Sequence, residues 1–309
     1  MANFKGADIL STKTLSKGEI LRIMEVANDM LPFARKEKRS NLLEGKILAS
    51  LFFEPSTRTR LSFETAMNRL GGKVITISGS EGTSMVKGET IEDTAKMVEQ
   101  YADVIAIRHG QMGAPAIMAD NADIPVLSGG DGAGEHPTQG LLDLFTILHE
   151  KGRFDAMKIT IVGDLKHGRT VHSLSYLLSN YDVELNYVSP KALALPEKVT
   201  KFLDERGANY KEMESLEEGL EGADILYMTR VQKERFEDPE EGKRLQDTYV
   251  LNREMIERIN PNVVVMHPLP RVNEISTDVD DLPTAAYFRQ AGNGVAVRMA
   301  LLALVLGKA

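Results

Sequence analysis

The chain has 309 residues, 42% hydrophobic and 27% charged, a balance that excludes whole-chain disorder and fibrous repeats. Lys and Arg number 37 against 45 Asp and Glu, for a formal net charge of −8, opposite to the balance of a general nucleic-acid or anionic-membrane binder. There is no cysteine, which excludes disulfides, thiolate nucleophiles and Cys-ligated metals and fits a cytoplasmic location. The length exceeds one ordinary core of ~100–150 residues, so two domains are expected. The first ten residues lack the apolar core of a signal peptide. The longest apolar run, Met299–Leu306, falls far short of the ~18–20 residues that span a bilayer and reads as a buried C-terminal helix.

Apolar runs alternate with amphipathic stretches, the pattern of an α/β protein with parallel sheets. Lys46–Phe53 predicts a strand and Ser56–Leu70 a helix, with Phe63, Ala66, Met67 and Leu70 forming one apolar face and Gly71-Gly72 the stop. Val74–Ile77, Val104–Ile107 and Pro125–Leu127 predict short strands, and Thr138–Leu148 a helix. After a break at Gly152-Arg153, Lys158–Gly163, Val183–Val188, Asp224–Met228 and Val263–Met266 predict strands and Thr170–Asn180 a helix. A last helix is expected from about Asn293. The expected plan is two doubly wound domains with parallel sheets, joined near residues 135–150, with the active site in the cleft between them.

Ligands of open α/β sheets sit beyond the carboxyl ends of strands, and polar clusters follow the predicted strands here. Ser56-Thr57-Arg58-Thr59-Arg60 opens a helix, where unpaired N–H groups and partial positive charge favour a phosphate. Plain capping accounts for one Ser or Thr, not for two threonines interleaved with two arginines. The Gly-rich stretch and Gly-Lys pair of a Walker A loop are absent. Gly82–Asp93 is either a solvated loop or a segment from which Lys87 closes over an anion. In Ser128–Gln139 the glycines suggest a tight, exposed backbone path; His136 is either structural or a donor to a carbonyl oxygen. The six histidines show no close metal-ligand spacing.

Gly163–His172 lacks the G-x-G-x-x-G fingerprint of dinucleotide binding. Its Arg169 either grips a carboxylate or is a solvated first-turn arginine. Arg230 and Gln232 share a face if Thr229–Arg235 stays extended, and otherwise form a polar strand end. In His267–Arg271 two prolines predict a rigid, extended turn. Its carbonyls could accept from a substrate NH₂, or the turn is merely structural.

FFEPSTRTRLSFE, SMVKGET, IRHG, GEHPTQ, GDLKHGRTVHS, YMTRVQKERF and MHPLPRVNEI occur in this order, with AYFRQAGNGVAVRMALL at the end. Jointly they resemble the aspartate carbamoyltransferase catalytic chains of the aspartate/ornithine carbamoyltransferase superfamily. The resemblance implies transfer of a carbamoyl group from carbamoyl phosphate to L-aspartate, a step of pyrimidine biosynthesis that uses no cofactor. It implies that Ser56, Thr57, Arg58 and Thr59 bind the phosphate. Arg108, His136 and Thr59 would polarise the carbonyl. Gln139 and the backbone carbonyls of Pro268 and Leu269 would hold the carbamoyl NH₂, with Pro270 also at the substrate. Arg169, Arg230 and Gln232 would bind aspartate's carboxylates. Ser84 and Lys87 would come from a neighbouring subunit, making a homotrimer; whether regulatory chains bind stays open. Arg58, Thr59, Lys87, Arg108 and His136 are the implied catalytic set.

The implied domains are a carbamoyl-phosphate-binding domain (1–135, completed by helix 293–309), a linking helix (136–150) and an aspartate-binding domain (151–292). The ornithine-specific branch typically carries a Cys in an H-C-L-P segment, where this chain has Pro268, and the Arg230/Gln232 pair suits a dicarboxylate.

Overall fold

The structure is a computed structural model and describes residues 3–81, 83–236, 238–245 and 247–309; Gly82 of the loop Gly82–Asp93 lies outside them. The chain divides into two compact units, Met1–Phe145 with Gly292–Ala309, and Thr146–Ala291.

The first unit holds strands β1 (Ile47–Phe52), β2 (Lys73–Ser78), β3 (Val104–His109) and β4 (Val126–Asp131). They form one sheet in the order β2-β1-β3-β4, every pair parallel. The near-continuous apolar run of β1 suits a central strand covered on both faces, and from Leu48 to Phe52 it is buried. β2 alternates exposed and half-buried residues, as an edge strand does. The helix Thr57–Arg69 buries Thr59, Phe63, Ala66 and Met67, a 3.6-residue spacing that lays one face on the sheet. Each large apolar side chain so covered contributes roughly 1.5–3 kcal/mol. A core of Ala49, Leu51, Ile105, Ile107 and Val126 closes against Ile91, Ala95, Val98, Ala114 and Met118 on flanking helices.

The second unit holds β5 (Met157–Val162), β6 (Val183–Val188), β7 (Asn209–Met213), β8 (Ile225–Met228) and β9 (Val264–Met266). Their order is β7-β6-β5-β8-β9, again all parallel. Val162, Val188, Leu226, Met228, Val263 and Val265 form its core with Leu216, Leu220, Leu251 and Ile256. In both sheets the strand order reverses at an inner strand, β1 or β5, which creates the topological switch where α/β sheets bind ligands.

Several elements differ from expectation. β4 continues to Asp131, with Ser128, Gly129 and Gly130 buried rather than on an exposed path. A Cβ at Gly129 would lie 3.3 Å from the Ile107 carbonyl oxygen and 3.4 Å from the Phe52 ring; the glycines let the strand run close beneath its neighbours. The segment after Gly82 is not all loop, since it makes a 3-10 turn over Ser84–Lys87 and enters the helix Ile91–Val98 capped by Thr90. The last helix starts at Tyr287. The helix Lys17–Ala34 was not expected; Ser16 and Glu19 open it with a reciprocal capping box. No helix among the described residues is long and apolar enough to cross a membrane.

Gly163 directly follows β5 with φ +117°, and a Cβ there would lie 2.2 Å from the Thr229 carbonyl oxygen. Both the dihedral and the contact exclude a side chain. Gly163→Ala is expected to lower the unfolding free energy by about 3 kcal/mol, read from the urea midpoint.

Candidate active site

The first unit brings together residues from three strand ends. After β1 the chain turns at Ser56, whose backbone is extended (φ −159°) and whose side chain makes no capping hydrogen bond. Simple capping is therefore not the use of Ser56. Thr57 and Arg58 stand exposed in the first helical turn, while Thr59 turns inward and is buried. Thr59 Oγ1 lies 3.2 Å from His136 Nε2, and His136, 4% exposed, directly precedes the helix Pro137–Lys151. Arg60 faces away, 3.8 Å from Glu64 Oε1, an oxygen that also accepts from Ser50 and Thr76.

Arg108, next to last in β3, has its Nε 3.1 Å from Glu54 Oε2, and its Nη1 donates to the Gly129 carbonyl at 3.5 Å. Gln139 Nε2 donates to Asp143 Oδ1 at 2.8 Å. Asp143 is fully buried, and a carboxylate only accepts, so it dictates which end of the Gln139 amide faces it. Arg298, on the last helix, donates to Thr138 Oγ1 (3.1 Å) and the Gly294 carbonyl (3.2 Å). Its guanidinium lies 5.1 Å from the centre of the Phe63 ring. Burial pulls the Arg298 pKa down to about 9, against the opposing charge of Asp143. Ser84 and Lys87 stand exposed on their 3-10 turn, and neither shares a described hydrogen bond with the Thr59–His136 pair.

In the second unit Arg169 opens the helix Arg169–Leu178 and is 7% exposed, which overturns the reading of a solvated first-turn arginine. β8 stops at Met228 and Lys233–Arg235 forms a 3-10 turn. Arg230 and Gln232 are thus not held on one face by an extended strand. Asp164 does the ordering instead: fully buried, it accepts from the amides of His167 (2.9 Å) and Gln232 (3.1 Å). Gln232 Nε2 donates to the His167 carbonyl at 2.8 Å, and Arg230 Nη1 to the Val231 carbonyl at 3.3 Å.

The His267–Arg271 turn is not extended. Leu269 has φ +58° and the Leu269–Pro270 peptide is cis. A left-handed non-glycine residue costs about 1–2 kcal/mol, so other bonds must hold it. The Leu269 amide donates to His267 Nδ1 at 2.7 Å, and His267 Nε2 lies 2.7 Å from Glu274 Oε1. Glu274 Oε2 accepts from the amides of Val272 and Asn273, each at 3.1 Å. Arg271 forms a two-pronged ion pair with Asp280, one arm at 2.6 Å, and the hydrogen bond from Arg271 holds the Asp280 carboxyl below its usual range. Among the described residues no group of three or more His, Asp or Glu is placed to hold a metal ion.

Glu54, Asp143, Arg298, Asp164, His267 and Glu274 had no assigned role in the sequence reading. Two left a signal there. Asp143 stands four residues after Gln139 on one predicted helix, a spacing that pairs side chains, and Arg298 interrupts an apolar helical run.

Two all-parallel α/β units with polar side chains gathered at their strand ends have the make-up of an α/β protein that binds ligands beyond the carboxyl ends of its strands. Residues 7–149 match the model for the carbamoyl-P binding domain of aspartate/ornithine carbamoyltransferases, and residues 155–305 that for the Asp/Orn binding domain. The chain belongs to the aspartate/ornithine carbamoyltransferase family. It is 48% identical, over 99% of each chain, to the aspartate carbamoyltransferase catalytic subunit of Methanopyrus kandleri. The structure of the catalytic subunit of M. jannaschii aspartate transcarbamoylase aligns with TM-score 0.90 and 48% identity, covering 97% of this chain and 98% of that one. Trypanosoma cruzi aspartate transcarbamoylase, solved with carbamoyl phosphate and aspartate, aligns with TM-score 0.93 and 39% identity over 98% of each chain.

Burial lowers the pKa of His267, with Glu274 opposing, and of His109, with Glu54 opposing. Both resist protonation in the folded chain, whereas the unfolded histidines take a proton near pH 6.5. The unfolded state then binds more protons, so this share of stability is complete above pH 6.5 and declines as pH falls below it. Urea midpoints are expected to drop from pH 7 to about pH 5, and the drop is expected to shrink in a His109→Gln/His267→Gln double variant.

Proposed function

We propose that this chain transfers the carbamoyl group of carbamoyl phosphate to the amine of L-aspartate, giving N-carbamoyl-L-aspartate and phosphate for pyrimidine synthesis. The observation that carries the reading is the Thr59–His136 hydrogen bond at 3.2 Å. It joins a helix start suited to a phosphate with a buried imidazole suited to a carbonyl oxygen.

In this reading Ser56, Thr57, Arg58 and Thr59 take the phosphate, using the open N–H groups of the helix start as well as their side chains. The aspartate amine attacks the carbonyl carbon, a C–N bond forms, and charge collects on the carbonyl oxygen. Arg108, His136 and Thr59 stabilise that oxygen; one such preorganised donor is worth ~3–4 kcal/mol in the transition state. The C–O bond to phosphate then breaks, and an oxygen of the departing phosphate takes the amine's proton. No protein nucleophile is required. Gln139 and the carbonyls of the Pro268–Pro270 turn receive the carbamoyl NH₂. Arg169, Arg230 and Gln232 receive the two carboxylates of aspartate. Ser84 and Lys87 serve the site of a neighbouring copy in a homotrimer, a role supported by their exposure on the 3-10 turn. A cytoplasmic location accords with the cysteine-free sequence.

The deciding assay offers carbamoyl phosphate with aspartate or with ornithine. Turnover with aspartate is expected, and faster turnover with ornithine would sink the reading. Arg58→Ala is expected to cut kcat/KM by about 10²–10³ with an unchanged urea midpoint. Sedimentation at several concentrations is expected to show a trimer; a fully active monomer would contradict the shared site.

A further inference from the structure

We infer that His267 is a positioning residue: as a neutral Nε2–H imidazole it holds the Leu269 amide and thereby aims the carbonyls of Pro268 and Leu269 at the carbamoyl NH₂. The inference rests on the carbamoyl-transfer reading above for the identity of the group those carbonyls meet.

The tautomer follows from the bonds themselves. The Leu269 amide is a donor, so His267 Nδ1, 2.7 Å away, must be a bare acceptor. The remaining proton is then on Nε2, which faces Glu274 Oε1 at 2.7 Å. A doubly protonated ring would set its Nδ1–H against the Leu269 N–H. The ring is 1% exposed and Glu274 4%, so water cannot replace either bond. Charges around the ring oppose protonation as well: Arg271 and Arg230 both disfavour the imidazolium, and burial outweighs the one favourable neighbour, Glu274.

The backbone is tied on both sides of the ring. The His267 amide donates to Gln290 Oε1 at 2.9 Å, and Glu274 Oε2 receives the Val272 and Asn273 amides. Between these ties lies Leu269, at φ +58°, a conformation a leucine leaves unless it is held. The imidazole is its described tether. Releasing it lets Leu269 relax toward negative φ, which swings the peptide planes on either side and with them the carbonyls.

Two substitutions separate the halves of the tether. In His267→Asn the side-chain oxygen can stand where Nδ1 stood and accept from Leu269, with the link to Glu274 lost. In His267→Gln the amide reaches Glu274, and nothing stands at the Nδ1 position. With aspartate saturating, KM for carbamoyl phosphate is expected to rise about tenfold in His267→Gln and no more than about threefold in His267→Asn. Binding of inorganic phosphate, which needs none of these carbonyls, is expected to match wild type in both. Equal KM changes in the two variants would overturn the inference and leave His267 a core residue. Should a variant not fold, ¹⁵N NMR of histidine-labelled wild-type protein decides: a bare Nδ1 and protonated Nε2 at neutral pH support the tether, and an imidazolium or an Nδ1–H tautomer refutes it. A wild-type chain inactive with carbamoyl phosphate and aspartate would sink the carbamoyl-transfer reading, and the substrate half of this inference with it, whatever the tautomer.

Discussion

A parallel sheet covered on both faces has nowhere to place polar chemistry except at the ends of its strands. Both units obey this constraint. β1, β3 and β4 lead to Ser56–Thr59, Arg108 and His136; β5, β8 and β9 lead to Arg169, Arg230 with Gln232, and the His267–Arg271 turn. The strands themselves supply almost nothing but apolar packing. Separating the two tasks allows side chains far apart in sequence, such as Thr59 and His136, to converge on one point while the core below stays dry.

Convergence alone does not orient a side chain, and here orientation comes repeatedly from a carboxylate. Glu54 faces Arg108. Asp143 receives Gln139. Asp164 binds the loops that carry His167 and Gln232. Glu274 receives His267 and the amides after it. The acidic excess of the chain thus has a part at the very places where anions are expected to bind. These carboxylates stand behind the donors, Glu54 through an ion pair and the other three through hydrogen bonds, and Asp143 and Asp164 are fully buried. Buried acceptors of this kind are costly unless satisfied, and each here has found a donor.

Much of the architecture was legible in the sequence because buried parallel strands are short apolar runs and the facing helices show a 3.6-residue stripe. Eight of the nine described strands fall where such runs predicted them. β7 escaped because NYKEM carries little apolar signal, its pattern being mostly exposed. The helix Lys17–Ala34 escaped although its capping box is written in Ser16 and Glu19. Gly129 and Gly130 differ from expectation for a physical reason: glycine marks a loop where the backbone must bend, and equally a strand where a neighbour lies close, as at Gly129, or where φ is positive, as at Gly130. The candidate residues were legible as polar clusters after strands, yet their supports were not. Glu54, Asp164 and Glu274 lie among other charged residues, and only the fold tells which carboxylate meets which donor.

The bond from Gln139 to Asp143 carries a consequence for discrimination among acyl phosphates. One N–H of its NH₂ is given to the carboxylate, which fixes the nitrogen toward Asp143 and turns the amide oxygen the other way, toward a substrate in the proposed site. The proposed turn adds carbonyl oxygens. A carbamoyl group brings two N–H donors to such a surface. An acetyl group brings a methyl of nearly the same size and leaves those acceptors unpaired. Rejection of that kind reaches factors far beyond what steric fit to a missing or added methyl group achieves, so selectivity for nitrogen over carbon follows from how one amide is turned.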